Sequence, residues 1–90
     1  MKELKKLALI LRALGFSANI EVEKIDLKDY QIDNTNICVQ FGKLCWSVWF
    51  CGDTWEVHLN NKYLYNEYWC KDILDVVFIL IKDTKRYTTK

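Results

Sequence analysis

Two glycine-containing dipeptides, Gly42-Lys43 and Gly52-Asp53, limit most sharply what this chain can fold into. Each separates two runs of β-prone residues that alternate in polarity, the pattern of a two-residue hairpin turn. Counting outward from each turn sets a register. Phe41 then faces Leu44, Val39 faces Trp46 and Ile37 faces Val48; across the second turn Phe50 faces Trp55, Val48 faces Val57 and Trp46 faces Leu59. All of these residues are apolar, so they form one buried face, and a slip of one position would turn the whole set to solvent. The other face carries Asn36, Cys38 and Gln40 on one strand, Cys45, Ser47, Trp49 and Cys51 on the next, and Thr54, Glu56, His58 and Asn60 on the third.

The flanks extend this three-stranded unit. Leu4, Leu7, Ile10, Leu11 and Leu14 gather on one side of a helix opposite Lys2, Lys5, Lys6, Arg12 and Ala13, with Gly15 as its stop and Leu9 alone on the polar side. From Ala18 the period is two, with Ile20 and Val22 alternating against Asn19, Glu21 and Glu23, which predicts a half-buried edge strand. Residues 26–34 read as an irregular connection. After Asn60-Asn61, Tyr63 to Tyr65 is expected to add a short fifth strand. Asn66 then caps a long helix to about Asp83, with Trp69, Ile73, Val76, Val77 and Leu80 inward and Lys71 and Asp75 paired outside. Leu74, Phe78, Ile79 and Ile81 widen its apolar arc, which calls for cover by the first helix or for a dimer contact through Phe78 and Ile79. The expectation is one α+β domain over residues 1–90: N-terminal helix, four- to five-stranded antiparallel meander and C-terminal helix, both helices on the face of Trp46 and Val48, with 83–90 a frayed tail.

Composition narrows the function classes. A net charge of +1 is neither the basic patch of a nucleic-acid binder nor an acidic mimic, so nucleic acid is not an expected partner. No stretch approaches a membrane span, since the longest apolar run, Ile73 to Ile81, contains Asp75. The opening residues have two lysines and an apolar run, as a signal peptide does. Arg12 interrupts the run, and an amphipathic helix fits better, which places the protein in the cytoplasm. Cysteines 38, 45, 51 and 70 are then reduced thiols, and their spacing includes no C-x-x-C, so neither metal nor cofactor is expected.

The register places Cys38, Ser47 and His58 in one row, the minimal composition of a nucleophile and a base. Cys38 and His58 lie two strands apart, roughly 10 Å at ordinary strand spacing, so only Ser47 is a direct neighbour of the imidazole. A metal site from Cys38, Cys45 and His58 has the same strain. Trp49 offers a second reading: a large rigid side chain amid Asn36, Gln40, Ser47, Glu56 and His58 has the make-up of a protein-binding hot spot. Tyr63, Tyr65 and Tyr68 would extend it at one end of the sheet.

In order of elements the chain resembles the double-stranded-RNA-binding domain, but the start of its second helix, NEYWCKD, holds a single lysine beside acids where that family needs a lysine-rich motif. It also resembles small messenger-cleaving toxins with a sheet histidine, His58 here, which implies an RNase-like enzyme. In size, element order and aromatic content it is similar to the small α+β proteins that serve bacteria as toxin-immunity proteins and phages as inhibitors of host defence. That resemblance implies stoichiometric inhibition of a partner protein, as a monomer or homodimer, without turnover.

Overall fold

The computed structural model describes residues 2–26, 28–61 and 64–88. Helix α1 (Lys2–Ala13) buries Leu4, Leu7, Ala8 and Leu11, a stripe at the i, i+3, i+4, i+7 spacing of a one-sided helix. Its end is a Schellman motif: the Phe16 amide donates to the Leu11 carbonyl (3.0 Å) and the Gly15 amide to that of Arg12 (3.1 Å), with Gly15 at φ +99°. Phe16 is thereby turned into the core beside Leu11. The Arg12 Nε donates to the Ala18 carbonyl at 2.8 Å and ties the helix to the strand that follows. Leu9 is exposed, as expected; Leu14, which the helical wheel places on the apolar side, is also exposed because the helix has already ended.

Five antiparallel strands follow in meander order: β1 (Ser17–Asp26), β2 (Gln31–Phe41), β3 (Leu44–Phe50), β4 (Trp55–Asn61) and β5 (Leu64–Cys70). The register counted from the two glycine dipeptides holds at every pair, from Phe41 with Leu44 and Val39 with Trp46 to Phe50 with Trp55 and Trp46 with Leu59. Gly42 and Gly52 lead their turns at φ +59° and +88°, which the primed hairpin turns require and a side chain would strain. The inward face of Ile37, Val39, Trp46, Val48, Val57 and Leu59 is fully buried beneath both helices.

Four expectations are corrected. Residues 26 and 31–34 do not belong to an irregular connection, because β1 and β2 pair as one long hairpin from Ser17 with Gln40 to Asp26 with Gln31. Only Asn36–Phe41 of β2 also pair with β3, so the hairpin's far half is a two-stranded ribbon, where Val22 is 58% exposed. The fifth strand is not a short Tyr63 to Tyr65 segment, and Tyr63 lies outside the described residues. The strand takes Asn66 to Cys70, which the helical reading had claimed, and α2 (Ile73–Thr88) begins later. Asp72, not Asn66, caps that helix: its Oδ1 accepts the Asp75 amide at 2.9 Å, while Asp75 Oδ2 accepts the Lys71 amide at 3.3 Å. The chain from 83 to 88 is helical rather than frayed, and residues 89 and 90 lie outside the described residues.

Helix α2 presses Val76 and Leu80 fully into the core, with Ile73, Val77, Ile79 and Ile81 partly covered. Asp83 is the one buried charged residue among those described, at 4% exposure. Its carboxylate accepts the Trp46 Nε1–H at 3.1 Å and the Tyr68 hydroxyl at 3.0 Å, so it joins α2 to β3 and β5. One helical turn on, the Tyr87 hydroxyl accepts the Asn66 amide at 3.1 Å. Burial, with the Asp83 carboxylate beside it, raises the Tyr68 phenol above its ordinary pKa.

Tyr68→Phe, which removes one donor from a buried carboxylate at almost constant shape, is expected to cost about 1–3 kcal/mol. Thermal unfolding followed by circular dichroism would show a Tm lower by roughly 4–8 °C per kcal/mol in a domain of this size. An unchanged Tm would show that Trp46 alone satisfies Asp83.

Candidate functional site

The face away from the helices is built by the outward residues of the pleat, and ladder pairing sorts them into rows. One row runs Asn36, Trp49, Glu56, Trp69 across β2 to β5. The next runs Cys38, Ser47, His58, Glu67. Among the sequence-derived residues, Asn36, Ser47, Trp49, Glu56 and His58 are adjacent, while Gln40 lies opposite Cys45, beyond Cys38 along β2. Cys38 is separated from His58 by the strand that carries Ser47.

Trp49 is half-buried, and its ring meets the His58 imidazole edge-on, with centroids 4.8 Å apart at 71°. Helix α1 packs on the opposite face of the sheet. Trp69 is 64% exposed and directly opposite Glu56. Reading residues 66–83 as helix had put Trp69 in the core; once β5 takes it, two indoles flank Glu56 in one row.

His58 Nε2 lies 2.5 Å from Glu56 Oε1 and 3.7 Å from Glu67 Oε1. A carboxylate only accepts, so Nε2–H donates to Glu56. The second oxygen of Glu56 accepts the Cys51 thiol at 3.8 Å. Ser47 Oγ accepts the Asn60 amide at 3.0 Å, an engagement that ties the expected nucleophile to Asn60 across the strand pair. Glu67 belongs to this cluster and escaped the sequence reading for the same reason as Trp69. Ligand-type atoms of Glu56, His58 and Glu67 all lie within 4.8 Å of one another, so a donor set of one imidazole and two carboxylates stands where a Cys38, Cys45, His58 set had been considered.

The expected second contact face divides. Phe78 is 62% exposed and Leu74, one turn before it, 77%, whereas Ile79 packs partly against the core. Lys82 Nζ sits 5.6 Å from the Phe78 ring centroid.

All four cysteines are free thiols. Burial, then neighbouring Cys45 and Glu21, pushes the Cys38 thiol up, and burial with Glu56 and Asp53 does the same for Cys51. Cys70, buried where β5 hands over to α2, is pushed up to about 11 by burial and by Asp75 and Asp72. None of these is an activated thiolate.

No helix among the described residues is long and apolar enough to cross a membrane. Comparison with protein-family models, with curated proteins and with solved structures finds no match for this chain.

Cys70 should alkylate slowest of the four in folded protein, and all four should react once the chain is unfolded without reductant. The thiol is protonated in both states below pH 9, so it leaves stability unchanged there. Above pH 9 the unfolded chain gives up its proton while the folded chain holds it, so stability falls from pH 9 towards about 11. Urea denaturation across that range should show the fall in wild type and a smaller one in Cys70→Ala.

Proposed function

We propose that this chain is a small non-catalytic protein-binding module that acts in the cytoplasm as a stoichiometric inhibitor of a partner protein, of the toxin-immunity or anti-defence kind. The observation that supports this reading is the row in which Trp49 and Trp69 flank Glu56 on the helix-free side of the sheet. Large aromatic side chains on a rigid scaffold lose little entropy on binding and bury much area, and a carboxylate between them adds direction. The scaffold is rigid for a stated reason: the strands beneath the row are pinned from below by a filled core. The face is open rather than concave, which suits a flat protein epitope better than a small substrate that must be shielded from water.

The test compares captures. Wild-type protein and Leu9→Ala, altered on the outer side of α1, should retain the same partner in a one-to-one complex. Trp49→Ala and Trp69→Ala should each weaken it by roughly thirtyfold, the loss expected from an anchor worth about 2 kcal/mol. Trp69→Ala should leave Tm within a few degrees of wild type, because the side chain is mostly in solvent. Capture unaffected by either tryptophan would defeat the reading. Loss of a nuclease activity in His58→Ala would replace it with the RNase-like alternative.

A further inference from the structure

We infer that Glu56, His58 and Glu67 form a binding site for a divalent transition-metal ion of the zinc class. The inference goes beyond the partner-binding reading and does not require it.

The argument begins with charge. Ladder pairing places Glu21, Glu56 and Glu67 outward on the open face, and among the described strand residues of that face there is no lysine or arginine. Two of these carboxylates nevertheless converge on one imidazole nitrogen, at 2.5 and 3.7 Å. Two like charges so close repel unless something positive lies between them. Both carboxylates approach the same ring nitrogen, and a proton on that nitrogen can be directed at only one of them. A cation coordinated by all three groups removes that conflict.

The backbone makes the convergence inevitable. Glu56 and His58 are two residues apart on β4 and therefore share a face, and Glu67 is the cross-strand partner of His58. Three ligands thus come from β4 and the adjacent edge strand β5, with side chains of Glu56 and His58 largely shielded. Bonds of about 2.0–2.2 Å in a tetrahedral shell put ligand atoms roughly 3.3–3.5 Å apart. The His58 to Glu67 separation of 3.7 Å is close to that already. The Glu56 oxygen must withdraw by roughly 1 Å, a small rotation in a side chain with three free torsions. On binding, the ion takes the Nε2 lone pair and the ring proton moves through solvent to Nδ1, so the ligand stays a neutral imidazole. One imidazole with two carboxylates suits Zn²⁺, Fe²⁺ or Co²⁺ rather than thiophilic ions, and the fourth position points out of the sheet to water. Trp49, edge-on to the imidazole, limits its rotation and places a fluorophore beside the ion.

The experiment titrates chelator-treated full-length protein with Co²⁺, following absorption and tryptophan fluorescence, and measures zinc retained after dialysis. The expected result is one ion per chain, quenched fluorescence and no thiolate-to-cobalt charge-transfer band. His58→Ala and Glu67→Gln, each confirmed as folded by circular dichroism, should weaken binding at least tenfold. Glu21→Gln, which removes a carboxylate from the same face on β1, should leave it within about twofold, as a general attraction by surface charge would not. Absence of saturable binding would overturn the inference and leave an imidazolium as the bridge between the two acids. A thiolate band would overturn it by moving the ion to the cysteines, and so would wild-type affinity in folded Glu67→Gln.

Discussion

The Asp83 carboxylate beneath the sheet is the contact on which the arrangement of elements depends. An ionised carboxylate out of water costs several kcal/mol unless hydrogen bonds replace its hydration, and here an indole N–H from β3 and a phenol from β5 do so. The two donors stand on different strands, so they set both the rotation of α2 and its position along its axis. Val76 and Leu80 are then directed into the sheet while Leu74 and Phe78 face outward. An apolar residue in place of Asp83 would pack, but it would not choose among rotations of a helix that carries apolar side chains around most of its circumference.

The same contact indirectly makes the open face. Tyr68 can reach Asp83 only from a strand, and in a strand Glu67 and Trp69 must project to the opposite side. The pleat that feeds the core with Tyr68 and Cys70 therefore supplies the acid beside His58 and the second indole beside Glu56. Core and site are two faces of one alternation.

How much of this was legible in the sequence depended on whether a segment has one wet side. Between Asn36 and Asn60 the inner residues are apolar and the outer ones mostly polar, and two glycines mark the turns, so counting recovered every ladder pair. In β5 the outer face holds Trp69 and the inner face Tyr68 and Cys70, which blurs the period of two, while Trp69, Ile73, Val76 and Leu80 happen to fit a helical stripe. Asn66, a plausible cap, completed the illusion; its side chain in fact donates to Tyr87. The far half of the first hairpin failed for the opposite reason: Val22 is exposed, and Lys24 and Asp26 continue its side of the strand, so there was no apolar alternation to read. Asp83 carried no signal of its own, because a carboxylate near a helix end ordinarily faces solvent.

The β1–β2 ribbon beyond Asn36 has a consequence for how the molecule opens. Its ladder from Val22 with Thr35 to Asp26 with Gln31 is held by backbone hydrogen bonds without a third strand on the β2 side. Two-stranded ribbons of this kind are marginal in water. The amides of this arm are free to exchange with solvent through local fraying, while those from Ile37 to Phe41 exchange only when the core itself comes apart. The chain thus has two levels of cooperativity along the same pair of strands, and the outer level can be reshaped without disturbing the inner one.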